Sequence, residues 1–235
     1  MIFSPPLEEG VFLRRYRRFL ADVRCADGTE LTVHCANTGS MRHCQVPGSR
    51  CWFSRTDAPG RKLPGTLEIV TTSDGRWAGV NTARANALVA EALDAGRIGC
   101  LQGYEKRRRE VRYGAENSRI DLLLEGGRDR PCYLEVKSVT LSLGDGVAAF
   151  PDAVTQRGAK HLRELEAMVA QEARAVLLFC AQLTAVDTLV PADDLDPVYG
   201  ETLRWAASRG VEVLAWGCRV TPEEISLAEP LAVRL

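Results

Sequence analysis

Residues 118–139, SRIDLLLEGGRDRPCYLEVKSV, read as two strands joined by a turn at Gly126-Gly127. Side chains alternate across a strand, so Glu135 and Lys137 point to one face and Val136 to the other. Asp121 lies on the hairpin partner and is expected to share the face of Glu135. Two carboxylates and one ammonium then converge at a strand end. Carboxylate oxygens suit a hard divalent cation such as Mg²⁺. Such an ion polarises a phosphoryl oxygen and lowers the pKa of a bound water, and Lys137 would position that water or stabilise developing charge. The bare spacing is also that of an exposed salt-bridging strand. In YLEVKS, however, apolar residues alternate with the charged ones, and a polar cluster on a half-buried sheet is costly unless it is used.

Beyond this hairpin, strand and helix alternate. A helix is expected to begin near Asp152, with Leu162, Leu165, Met168 and Val169 on one face. A buried strand (ARAVLLFCAQ), a helix over roughly 197–209 and a strand (VEVLAWGCR) follow, which predicts an α/β layer with some parallel pairing. PCYLEVKSVTLSL reads as one strand-like segment. Upstream, NTARANALVAEALDAG reads as a helix with Asn81 as N-cap and Gly96 as its stop. Residues 1–80 are different. Turn signals at Asp27-Gly28, Pro47-Gly48, Pro59-Gly60, Pro64-Gly65 and Asp74-Gly75 separate about five short strands, the pattern of a small β-barrel such as an OB-fold. The domains are therefore set at 1–80 and 81–235.

The 235 residues carry 30 Lys+Arg and 31 Asp+Glu, a net charge of −1, with 46% apolar and 26% charged residues. This composition excludes disorder and a uniformly basic nucleic-acid coat. The charge is segregated: residues 1–119 hold 19 basic and 13 acidic side chains, net +6, and residues 120–235 hold 11 and 18, net −7. Arg14-Arg15-Tyr16-Arg17-Arg18, Arg61-Lys62 and Lys106–Arg109 are the basic clusters. A charge run is commonly a solvated face, but Tyr16 and Phe19 at the first cluster favour nucleic acid, whose bases stack on aromatics while phosphates meet cations. The eight cysteines show no CxxC pairing. Zinc at Cys35, His43 and Cys44, with His34 adjacent, is a weaker reading than ordinary core or surface residues. No stretch is apolar enough to span a membrane, and the N-terminus lacks a signal-peptide pattern, so the cytoplasm is the default location. There is no GxGxxG or P-loop.

Asp121, Glu135 and Lys137 form D-x13-E-x-K, which resembles the PD-(D/E)xK nuclease core. Longer words are more specific. FSPPL (3–7), RYRRFLADV (15–23), HCANTGSM (34–41), VNTARAN (80–86), VRYGAENSRIDLLL (111–124), CYLEVKSVTL (132–141) and FPDAVTQRGAKHLREL (150–165) resemble the sugar fermentation stimulation protein A (SfsA) family across essentially the whole chain. The resemblance implies an OB-fold-like β-barrel followed by a PD-(D/E)xK, restriction-endonuclease-like α/β domain. It also implies DNA binding with little sequence preference, to single or double strands, and a regulatory role in sugar (maltose) metabolism. The expected catalytic set is Asp121, Glu135 and Lys137, with Mg²⁺ or Mn²⁺ on Asp121, Glu135 and Glu116. The expected DNA contacts are Arg15, Arg17, Arg18, Arg61, Lys62, Arg119, Arg157, Lys160 and His161, the last three near one helical face; Ser118 flanks the Asp121 strand and Thr155 lies on the same basic helix. The alternative is a non-catalytic DNA-binding regulator that keeps the nuclease fold as a scaffold. A homodimer is compatible with the sequence, and no membrane partner is expected.

Overall fold

The computed structural model describes residues 1–235. The chain opens with β1 (Glu8–Tyr16), β2 (Leu20–Cys25), β3 (Glu30–His34), β4 (Arg50–Arg55), β5 (Gly65–Thr71) and β6 (Trp77–Gly79). These pair in the order β3-β2-β1-β4-β5-β6, and a parallel pairing at His34↔Thr66 joins β3 to β5. That pairing closes β1–β5 into the expected OB-like barrel, filled by Phe12, Val23, Val33, Phe53 and Leu67. The arginine-rich run is itself a corner. Arg17 and Arg18 form the β1–β2 turn with φ of 45° and 65°, a conformation that side chains other than glycine seldom adopt.

A 3₁₀ turn (Thr82–Arg84) leads into α1 (Ala85–Asp94). Asn81 does not cap it as expected; its Nδ2 donates instead to buried Glu68 at 3.0 Å. The remaining elements are β7 (Lys106–Tyr113), β8 (Ser118–Glu125), β9 (Cys132–Val139), β10 (Leu141–Gly144), β11 (Val147–Phe150), α2 (Gln156–Ala170), β12 (Arg174–Ala181), β13 (Thr188–Pro191), α3 (Pro197–Ser208), β14 (Glu212–Val220), β15 (Ile225–Pro230) and β16 (Ala232–Val233). One sheet runs β15-β14-β12-β9-β8-β7, with β12 parallel to both β9 and β14, and a smaller one runs β10-β11-β13-β16. The single segment PCYLEVKSVTLSL is thus two strands in two sheets, parted at Thr140.

Alternation along β12 separates two core layers. Ala175, Leu177 and Phe179 pack toward Leu162, Leu165 and Leu203 of α2 and α3. Val176 and Leu178 pack toward Leu88, Val89 and Ala92 of α1, together with Leu134 and Val136 of β9. A sheet buried on both faces needs an unbroken apolar strand at its centre, which is what ARAVLLFCA supplies. The first residues of the chain belong to this second layer rather than to the barrel: Ile2 bridges Glu224, and Phe3 lies in the α1 cluster.

The basic helix starts at Gln156, not near Asp152. Thr155 is its N-cap, the hydroxyl accepting from the Gly158 N–H at 3.0 Å, while its own N–H donates to Asp196, the N-cap of α3. Gly158 is where the two helices touch. A Cβ there would lie 2.7 Å from Thr155 Cγ2 and 2.9 Å from Tyr199 Cε2. Helix propensity alone makes Gly158→Ala stabilising by ~1 kcal/mol. Overpacking against buried Tyr199 reverses the sign, and urea denaturation is expected to show a loss of about 1–3 kcal/mol.

Candidate functional site

The β8–β9 ladder runs through Leu124↔Cys132, Leu123↔Tyr133 and Leu122↔Leu134 and then forks. At the fork the Asp121 carboxylate replaces a strand carbonyl: its Oδ2 accepts from the Val136 N–H at 2.8 Å. Its Oδ1 accepts from Asn86 Nδ2 of α1 at 2.7 Å. The start of α1 is tied to the barrel through Arg84, whose Nε donates at 2.6 Å to Glu68, a carboxylate only 1% exposed. Asp121 is therefore held by both strands of the fork and, through α1, by the barrel.

Glu135, 3% exposed, faces α2. Its Oε1 accepts from Lys137 Nζ at 2.6 Å and from His161 Nδ1. Arg157 Nε donates to His161 Nε2 at 3.3 Å, which assigns the imidazole proton to Nδ1, the nitrogen facing Glu135. Both donors converge on one oxygen, so Oε2 is buried with no partner. Burial would raise the Glu135 pKa, but the Lys137 charge and the bonds from His161 and Lys137 hold it below the usual carboxylate range. Asp121 goes the other way: burial, then the charge of Glu135, push it up to about 6 against the Val136 and Asn86 bonds. Asp121 and Glu135 lie close enough to feel each other's charge, and one of them has an unmatched oxygen of the kind a hard cation accepts, but no third His, Cys, Asp or Glu joins them as a metal-holding cluster.

Asp121, Glu135 and Lys137 open into a cleft of about 400 Å³ between the two domains. Its far wall is the barrel loop Asn37–Gly39 with Arg18. Arg15 does not face this space as a free cation. Its guanidinium donates to the carbonyls of Asn37 (2.8 Å), Gly39 (3.0 Å), Ser40 (3.3 Å) and Arg18 (2.9 Å), so it is the clamp that shapes the loop. Asp152 holds the same loop from the α/β side, accepting from the Met41 N–H at 3.1 Å. The approach is close enough that a Cβ on Gly39 would lie 2.1 Å from the Asp152 carboxylate.

The other expected residues separate into groups. Arg157 and His161 line the cleft and also an adjoining cavity that contains Arg119 and Lys160. Arg17 is exposed at the β1–β2 corner. Arg61 and Lys62 are exposed on the β4–β5 loop and line neither cavity. Glu116 is not beside Asp121: it sits in the β7–β8 turn, its N–H donating to buried Glu164 and its carboxylate 3.9 Å from Arg163. Cys35 and Cys44 are core residues, Cys35 Sγ contacting Met41 Sδ at 3.3 Å and burial pushing the Cys44 thiol up to about 12; His43 turns outward to Ser73. Asn86 carries no expectation from the sequence, and Asp152 only that of a helix start; the signal that could have marked Asn86 is an amide at a position within the helical word VNTARAN, where a polar group needs a partner. No helix is long and apolar enough to cross a membrane.

Comparison with known proteins gives a consistent result. Residues 13–80 match the SfsA N-terminal OB domain, and residues 83–224 match the sugar fermentation stimulation protein RE domain. A sugar fermentation stimulation protein homolog of Pseudomonas paraeruginosa is 58% identical over 236 residues, covering 100% of both chains. One from Shewanella loihica is 55% identical over 235 residues, again covering 100% of each. The solved structure of Pyrococcus furiosus SfsA in complex with Ca²⁺ superposes with a TM-score of 0.89 at 28% identity, covering 100% of this chain and 98% of that one.

The contrast between neighbouring arginines is testable. Arg15→Lys removes a planar fork that reaches several carbonyls, and lysine cannot reproduce it. It is expected to cost about 1–3 kcal/mol and to speed hydrogen exchange across residues 36–41. Arg17→Ala is expected to stay within about 0.5 kcal/mol of wild type.

Proposed function

The chain belongs to the sugar fermentation stimulation protein family, and on that premise we propose that it binds DNA with little sequence preference and hydrolyses its phosphodiester bonds with Mg²⁺ or Mn²⁺ held at Asp121 and Glu135. The observation that carries this reading is the buried, partnerless Glu135 Oε2 in a cleft that Asp121 also lines. A protein interior tolerates an unmatched carboxylate oxygen poorly, and a bound cation with water and phosphate oxygens would satisfy it. The Pyrococcus furiosus relative was solved with Ca²⁺, a cation with the same preference for oxygen ligands.

The bound ion supplies Lewis acidity and a water of lowered pKa. The remaining roles fall to this chain's own residues. Lys137 Nζ, 2.6 Å from Glu135, stands ready to orient the attacking water and to stabilise charge gathering on the phosphoryl oxygens. His161 holds Glu135 in place. Arg18 and Arg157 rim the cleft and meet the flanking phosphates. A second reading, a non-catalytic DNA-binding regulator of sugar metabolism, draws on one observation: Lys137 and His161 already compensate the Glu135 charge from within.

Incubation with supercoiled and single-stranded DNA plus Mg²⁺ or Mn²⁺ is expected to give cleavage that falls by about 100-fold or more in Glu135→Ala. Cleavage unchanged in Glu135→Ala overturns the assignment. DNA retardation that survives Asp121→Ala without any cleavage by the wild type selects the regulator. In either case binding is expected to weaken with salt, with the log–log slope reduced by about one in Arg18→Ala.

A further inference from the structure

Beside the carboxylate cleft lies a second cavity of about 310 Å³ with no apolar residue in its lining. Arg112, Arg119, Arg157 and Lys160 contribute four cations, against a single carboxylate from Glu110. Arg112 and Arg119 stand directly opposite each other across the β7–β8 ladder. Like charges in that position destabilise a sheet. Neither arginine forms an ion pair, and the nearby Glu116 faces Arg163 at 3.9 Å instead. Ser118 also belongs to the cavity lining; it is 5% exposed and its buried hydroxyl has no hydrogen-bond partner. Arg157 and His161 line both cavities, so the two share a wall.

We propose that this cavity is a phosphate subsite, holding a phosphate group of the nucleic-acid strand next to the one being hydrolysed. The assignment rests on reading the adjoining cleft as a phosphodiester site. Opposed guanidiniums that repel each other in the free protein become a paired clamp around an anion, each able to donate two parallel bonds to phosphate oxygens. Lys160, whose Nζ donates to the Glu116 carbonyl, retains donors for the same anion, and the Ser118 hydroxyl gains the partner it lacks. The phosphate can come from a strand end, as a monoester, or from the interior of the strand.

Two measurements without divalent cation test the subsite. In thermal melts, inorganic phosphate is expected to raise the Tm of the wild type above that in NaCl of equal ionic strength, and to leave the Arg112→Ala/Arg119→Ala double variant unmoved. Arg119→Gln, a smaller change, is run alongside and is expected to lose most of the phosphate-induced rise. Fluorescence anisotropy in EDTA then compares oligonucleotides bearing a 5′-phosphate, a 3′-phosphate or neither. The double variant is expected to bind at least one of them about tenfold more weakly. A loss confined to a phosphorylated end identifies the monoester as the ligand, and an equal loss for all three identifies an internal phosphate. No specific phosphate-induced rise in the wild type, or unchanged affinity for all three oligonucleotides in the double variant, overturns the proposal. Arginine-dependent binding with no cleavage on addition of Mg²⁺ or Mn²⁺ defeats the hydrolytic reading and leaves the subsite standing.

Discussion

The burial of one carboxylate, Glu135, on a central strand organises the α/β domain. Removing a lone charge from water costs far more than any single apolar contact returns, so the residues around it are constrained. The two-residue period of β9 places Lys137 beside it, and α2 presents His161 from above. Arg157, one helical turn earlier, fixes the His161 tautomer. Compensation stops at one oxygen. Satisfying Oε1 twice and Oε2 not at all leaves the carboxylate held in place and still able to accept a ligand, the condition expected of a site that exchanges its occupant.

Asp121 shares a cleft with that carboxylate where the sheet comes apart. Where the β8–β9 ladder forks, the side chain of Asp121 takes the Val136 N–H that a strand carbonyl would otherwise receive. The fork therefore leaves no orphaned N–H at this point, and it opens the sheet on the barrel side. The barrel is then more than an appended module. Arg15 shapes its Asn37–Gly39 loop, Asp152 fastens that loop to the second domain, and the Glu68–Arg84 pair anchors α1, which supplies Asn86 to Asp121. The cleft therefore takes its lining from both domains.

Much of this was legible in the sequence. Alternation in YLEVKS put Glu135 and Lys137 on one face, and glycine and proline turns marked the barrel strands, because both signals are local. What escaped was set by tertiary partners. The hairpin pattern implied continuous pairing past Asp121, and nothing local announces that a side chain will replace a carbonyl in the ladder. Glu116 looked like a third acidic ligand by proximity in sequence, yet the β7–β8 turn aims it toward Arg163. The arginine cluster at 14–18 looked uniform. In space, Arg14 pairs with Asp22, Arg15 is absorbed by carbonyls, Arg17 and Arg18 make a corner, and only Arg18 reaches the cleft. Arg112 was silent because its meaning comes from standing opposite Arg119.

The proposed reading requires Asp121 and Glu135 together to hold one divalent cation. Titration of the DNA-free protein with Mn²⁺, followed by electron paramagnetic resonance of the free ion, tests it without recourse to activity. One saturable site is expected in the wild type, lost in Asp121→Ala and retained in Arg119→Gln. An unsaturable wild type, or a site that survives unchanged in Asp121→Ala, would contradict it.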